Sequence, residues 1–328
     1  MMVKIVDHGT WSLAAADEDL HAPGPELLWN ESYYFDFAAA DGSVGGYIRL
    51  GLYPNWERAW YWACVVRPGL PAILVADNAA ALPKPGETEL RADSYHATQV
   101  ISEPLRSARV TLAATGTVLP EPAAAYSELS TGTAGLGLDL EWTTVGGVYP
   151  YKDLPRYEVP ASVTGTVTIG EEQIAIVGSG ERDHSWGERD WWQISWLWTS
   201  GRLADGTAFH GMQANIGFAI GWPSFVVTPD GELSHRDGFG ADTAFGADDL
   251  PELSRLRLPG MPMSAVPIAF APVAMTAPDG RVSHFPRALC RFSADDGRTG
   301  YGWTEWNQPP GWQQHGWSYL DLPAEGTA

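Results

Sequence analysis

Fifteen residues, Gly178 to Trp192, hold one His, two Asp, two Glu, two Arg and three Trp, in a chain that is only 18% charged. His184, flanked by Asp183 and followed by Asp190, is an acid–base set: imidazole changes charge near neutral pH, and a desolvated carboxylic acid can keep its proton there. Trp186, Trp191 and Trp192 add aromatic faces that tolerate positive charge. Together they suit proton transfer to an apolar substrate, with Asp183, His184 and Asp190 as catalytic candidates. A structural reading competes. Arg182, Asp183, Arg189 and Asp190 can pin two strands as a charge network, with His184 a satisfied hydrogen bonder, because buried charge must be paired.

Period-2 alternation sorts the segment. Arg182, His184 and Trp186 fall on one face, and Glu181, Asp183 and Ser185 on the other, until Gly187 permits a bend. Beyond it, Trp192, Ile194, Trp196 and Trp198 share a face, as a wall for an apolar ligand or a packed barrel would. His210 lies in the following strand. Glu305 sits between Trp303 and Trp306 and is the acidic residue of that region that can reach a cavity. Trp186, Trp191, Trp192, Trp196, His210, Trp303 and Glu305 are therefore the substrate-binding candidates.

Asp183-His184-Ser185-Trp186-Gly187, after a strand ending in Gly178-Ser179-Gly180, resembles the Asp-His-Asn-Trp-Gly signature of carotenoid 1,2-hydratases (hydroxyneurosporene synthases). The wider group takes in AttH-like proteins and lipocalin-like Diels–Alderases. Asn30–Phe37 and Gly300–Trp306 are more loosely similar to that superfamily. The resemblance implies two lipocalin-like β domains side by side, an apolar ligand near their interface, and no metal or organic cofactor. It implies alkene protonation followed by water capture, with roles for His184 and Trp186. Ser185 stands in place of the Asn, and Ala208–Asn215 lacks the family's Tyr-x-Asp.

The elements that must hold this segment are short alternating runs, such as Gly46–Tyr53, Arg109–Leu112, Ser162–Ile169 and Gln173–Val177. They are separated by turns at Asp41-Gly42, Pro229-Asp230-Gly231, Asp279-Gly280 and Asp296-Gly297. This pattern predicts an all-β chain of two tandem lipocalin-like antiparallel barrels or sandwiches. Helical signals are confined to Ala76–Leu82 and Asp248–Leu258. Turn formers at Tyr149–Pro155 place the domain boundary there, giving an N-terminal domain 1–150 and a C-terminal domain 151–328 that carries the motif. Aromatic strands at Asn55–Trp62 and Arg189–Trp198 hint at a duplicated architecture.

Composition narrows the function. The net charge of −20 argues against nucleic acid or an anionic membrane surface as partner and suits a neutral or cationic ligand. The 16 Trp call for a wide aromatic interior or a bulky core. Cys64 and Cys290 are the two cysteines, without zinc spacing, so neither metal nor disulfide scaffold is expected. Met1–Leu20 has no apolar signal-like core, and prolines break the uncharged stretch Leu258–Pro278, so a cytoplasmic protein without membrane insertion is expected. No phosphate loop, βαβ alternation, HExxH or GxSxG occurs. The best reading is a cofactor-independent lyase or isomerase acting on an isoprenoid- or polyketide-like substrate. A pericyclase and a non-catalytic carrier of an apolar molecule are the alternatives.

Overall fold

The computed structural model describes residues 3–7, 12–126, 132–152, 154–222 and 224–320. Strand Trp29–Ala39 pairs antiparallel with Gly45–Tyr53 on one side and Glu172–Glu188 on the other. From this centre the first sheet runs one way through Arg58–Val66 to Ala72–Ala80, and the other way through Arg156–Ile169 and Thr133–Thr144 to Ser107–Leu119. Pairing of Ala72–Ala80 with Ser107–Leu119 closes these strands into a barrel. The second sheet is curled and equally large. Its centre is Ser195–Leu203, flanked by Ala208–Asn215 and Thr299–Asn307. The chain is all-β, as its alternation and turns indicate. Among the described residues, helical structure is limited to short 3-10 turns such as Ala15–Glu18 and Trp312–Gln314. None is long and apolar enough to cross a membrane.

Two sequence expectations are corrected. The helices expected at Ala76–Leu82 and Asp248–Leu258 do not form, because Ala72–Ala80 and Pro251–Leu256 are strands. Ladder pairing to Arg58–Val66 and to Ala241–Phe245 overrides local alanine or turn propensity. The boundary at Tyr149–Pro155 also moves (Asp153 lies outside the described residues). Strands Arg156–Ile169 and Glu172–Glu188 complete the first barrel, so the chain changes sheets between Glu188 and Ser195. The motif thus belongs to the first barrel. The physical reason is closure: these two strands supply the ladder between Trp29–Ala39 and Thr133–Thr144.

Every residue of Trp29–Ala39 and Gly45–Tyr53 is buried. Tyr33, Phe35, Phe37, Tyr61 and Ala63 fill the barrel interior. The alternate residues Tyr34, Ala38, Trp60, Trp62 and Cys64 face outward and pack against Trp192, Trp196, Trp198 and Trp303 from the second half. The two aromatic strands are therefore partners across one interface.

The N-terminal segment caps one barrel end. Glu18 receives Arg182 Nη1 and Nη2 at 3.0 and 2.6 Å, the Leu105 amide at 2.6 Å and the Tyr157 hydroxyl at 2.8 Å. Burial alone would raise the Glu18 pKa, but Arg182 and these donors hold it below the usual value. Removing one partner of a buried pair strands the other charge. Glu18→Ala should therefore cost about 3–5 kcal/mol of stability, read as a lower Tm and denaturation midpoint, whereas Glu18→Gln should recover part of that loss.

Candidate functional site between the two sheets

Gly187 has φ +112°, a conformation open to glycine, and it lies near the end of the motif strand, still paired with Asn30, just before the chain leaves the first barrel. Asp190 then shapes the crossing. Its Oδ1 accepts the Trp192 amide at 3.0 Å and its Oδ2 accepts Gln193 Nε2 at 2.8 Å, an Asx-type turn. Asn307 Nδ2 clamps the same loop through the carbonyls of Trp191 and Ile194, at 2.8 and 2.9 Å. Under this crossing lies a cavity of about 250 Å³. Trp186, Trp191, Trp196, Trp198 and Trp222 wall it, and Arg156, Arg189, Asp190 and Glu305 bring charge to it. Its size is near the lower end for small-molecule sites.

The sequence candidates separate here. Trp186, Trp191, Trp196, Asp190 and Glu305 line the cavity. Asp183 does not reach it, but lines a smaller adjoining chamber and pairs with Arg156 Nη2 at 2.9 Å. Trp192 is buried in the inter-sheet core, donating to the Met275 carbonyl at 2.8 Å. Trp303 is likewise buried, donating to the Phe37 carbonyl at 2.9 Å. Both are packing residues rather than cavity wall.

His184 is the main departure. It pairs with Tyr33 in the ladder and points into the first barrel with Arg182, opposite to Asp183. It is fully buried, its Nε2 2.5 Å from Glu31 Oε1 and its Nδ1 3.2 Å from the Tyr157 hydroxyl, with its ring stacked on Tyr33 at 4.1 Å. Glu31 also binds His21 Nδ1 at 2.9 Å, and His21 stacks on Trp186 at 3.7 Å. Adjacent strand residues point to opposite faces, so His184 and Asp183 cannot serve one cavity.

The outward face carries a second buried cluster. His210 lies behind the wall and does not touch the cavity. Its Nδ1 is 2.6 Å from Glu181 Oε1 and its Nε2 is 2.7 Å from the Tyr151 hydroxyl. Glu158 Oε1 accepts Arg156 Nε at 2.6 Å and Trp198 Nε1 at 3.4 Å, while its Oε2 has no hydrogen-bond partner. Burial pushes Glu158 up to about 8, with Arg156 and His210 opposing. Burial, and then Asp36, push Glu181 well up. Burial lowers His210 to about 4. Burial thus disfavours charge on all three groups, and the short Glu181–His210 contact is a hydrogen bond between them.

Ligand-type atoms of His21, Glu31 and His184, and of Glu158, Glu181 and His210, each lie within 4.8 Å of one another. Either trio could hold a metal. Sequence spacing did not reveal them, because each set joins distant positions. Sequence reasoning also missed Arg156, Glu158 and Trp222, and it had Arg189 as a member of a charge network rather than as a cavity residue. Trp198 was visible as a member of the Trp192–Ile194–Trp196–Trp198 face. Arg156 had only the signal of a charge beside a supposed linker.

With the geometry in view, comparison gives a family. A model of a domain of unknown function (DUF7064) matches residues 14–310, and the chain belongs to that family. No curated protein matches its sequence. Among solved structures, an AttH-like protein of Nitrosomonas europaea is 15% identical, with a TM-score of 0.57, covering 92% of this chain and 97% of its own. Kievitone hydratase of Nectria haematococca is 10% identical, with a TM-score of 0.57 and coverages of 88% and 91%. CghA solved with Sch210972 is 13% identical, with a TM-score of 0.52 and coverages of 86% and 89%. These likenesses establish the shared fold.

Two outcomes follow from the clusters. Asp36, hydrogen-bonded by the Glu181 amide, Tyr34 and Ser200, is pushed by burial up to about 7. A raised carboxyl stabilises the fold below its unfolded pKa near 4 and loses that contribution as pH rises to 7, about 1.4 kcal/mol per pH unit. Asp36→Asn should thus gain Tm relative to the parent by several degrees between pH 4 and 7, and no more above it. His184→Ala should lower Tm, since a stranded buried partner costs about 1–3 kcal/mol. It should leave the Kd of an apolar fluorescent dye within about twofold, whereas Trp196→Ala should weaken the dye severalfold by removing cavity wall.

Proposed function

We propose that this member of the DUF7064 family is an enzyme that transforms an apolar, isoprenoid- or polyketide-like molecule in the inter-sheet cavity by acid–base chemistry. The reaction class is hydration, dehydration, cyclisation or isomerisation of an alkene. The observation that carries this reading is that one cavity combines a wall of five tryptophans with half-buried ionisable groups among them. A carrier that only retains an apolar ligand has no need of the second. The name of kievitone hydratase, a fold neighbour, points the same way.

Glu305 is the proton-transferring group of this proposal. Asp190 is committed to the crossing turn, Asp183 does not line the cavity, and Glu188 is exposed. Glu305 faces both the cavity and the adjoining chamber. Its Oε2 accepts Arg287 Nη2 at 2.7 Å, and its Oε1 lies 3.4 Å from Trp196 Nε1. In an isomerisation, the carboxylate takes a proton from an allylic carbon, the double bond shifts along the chain, and the same carboxyl returns that proton to the far alkene carbon, so no net proton is gained or lost. A pericyclic step would use the same wall with guanidinium groups polarising a carbonyl.

The test is to incubate the purified protein with lipid and polyketide extracts and follow them by mass spectrometry. A gain or loss of water, or an isomer of unchanged mass, is the expected result. Glu305→Gln keeps an acceptor for Arg287 and should lose about 10²–10⁴ in turnover while still retaining ligand. Ligands held but never changed, by parent and variant alike, would establish a carrier instead.

A further inference from the structure

We propose that the substrate is an amphipathic acid, whose anionic head, a carboxylate or an acidic enolate, sits among Arg49, Arg189 and Arg287 while its apolar body lies along the tryptophan wall. This rests on the reading of the cavity as the substrate site and adds the chemical class of what enters it.

The small chamber beside the cavity shares Arg156, Arg189, Trp191 and Glu305 with it, so the two are contiguous. Its free space is about 20 Å³, room for one or two water-sized atoms. That is the scale of a head group rather than a whole ligand. Four guanidinium groups, from Arg49, Arg156, Arg189 and Arg287, surround it, against the carboxyls of Asp183 and Glu305. Arg156 is engaged by Glu158 and Asp183, and Glu305 by Arg287. The wall therefore keeps an excess of positive charge in a protein whose net charge is −20. The overall charge favours a neutral or cationic ligand, but the local field here has the opposite sign.

Unused donors point the same way. Arg49 is 3% exposed; its Nη2 donates to Asn30 at 3.1 Å and its guanidinium also meets the Tyr53 hydroxyl, while its Nη1 makes no well-formed hydrogen bond. Arg287 is 1% exposed, and its Nε and Nη1 have no partner. Such donors are rare in a protein interior and call for an acceptor. Both guanidinium planes are held against aromatic faces. Arg49 lies 4.9 Å from the Trp62 and Trp191 rings, and Arg287 lies 3.8 Å from Tyr47. The missing side chain of Gly51 makes room for Arg49, whose Nη1 would sit inside contact distance of a Cβ there. Rings over the planes leave the N–H edges for recognition, and such edges bind carboxylates as forks. Burial, and then Arg156, depress the Arg189 pKa to about 10, and Arg49 adds to the repulsion. A bound anion would relieve that crowding.

The test uses the full chain and three probes by calorimetry: decanoate, decanol and acetate. Decanoate should bind at least about tenfold more tightly than decanol, a difference of about 1.4 kcal/mol, and acetate far more weakly than either. In Arg189→Met and in Arg49→Met the preference for the acid should fall below about twofold while decanol still binds. Arg189 is only half buried and among like charges, so its variant keeps the test valid should Arg49→Met fail to fold. Equal binding of acid and alcohol by the parent would overturn the head-group assignment and leave the cavity reading standing. So would a preference that survives in the variants. Acetate binding as tightly as decanoate would make the chamber a free-anion site and also overturn the proposal. Failure of both ten-carbon probes to bind would overturn the cavity reading together with this one.

Discussion

Burial of the first barrel's wall on both faces is the constraint on which the rest of the structure depends. Strands Trp29–Ala39, Gly45–Tyr53 and the outer half of Glu172–Glu188 each send alternate side chains into the barrel and into the inter-sheet core. A strand buried on one face can leave its charges in water on the other. Here neither face offers water, so every charge on the wall needs a partner on its own side. The pairings divide accordingly. Arg182 with Glu18 and His184 with Glu31 serve the barrel interior, while Asp183 with Arg156 and Glu181 with His210 serve the interface.

That division decides what each group can do. The interior set is closed over by the N-terminal segment, and it ties that segment to the wall through Glu18 and His21. The interface set meets a second sheet whose Trp196, Trp198 and Met212 do not close completely against it, and the gap is the cavity. The cavity therefore draws mainly on the interface set, with Trp186 reaching it from the His184 face. Within that set, Glu158 and Glu181 are carboxyls whose proton affinity burial has raised, standing directly behind Arg156 and Trp198 of the cavity wall. They stand close to the site without touching its contents.

The tryptophans have two distinct uses. Trp60, Trp192 and Trp303 are mortar between the sheets, their indole edges or N–H groups fixed by neighbours across the interface. Trp191, Trp196 and Trp198 keep a face toward open space. Type and abundance cannot tell these uses apart, because both require a large rigid ring with one polar handle. The distinction comes from how far apart the two sheets stand at each position.

The sequence by itself determined the all-β class, through alternation and Asp-Gly turns, and the segment where charge and tryptophan converge. It also determined that Asp183 and His184 oppose one another, since that follows from strand geometry alone. Only the tertiary structure decided that Glu172–Glu188 closes the first barrel, which moved the sheet exchange to Glu188–Ser195 and turned His184 away from the cavity. It alone brought Arg49, Arg156, Arg189, Arg287 and Glu305 to one chamber from across 257 residues of sequence. The physical reason is that ladder pairing and packing between distant strands are non-local. Local pattern states which way a side chain points relative to its neighbour, but what stands opposite depends on which strand the fold places there.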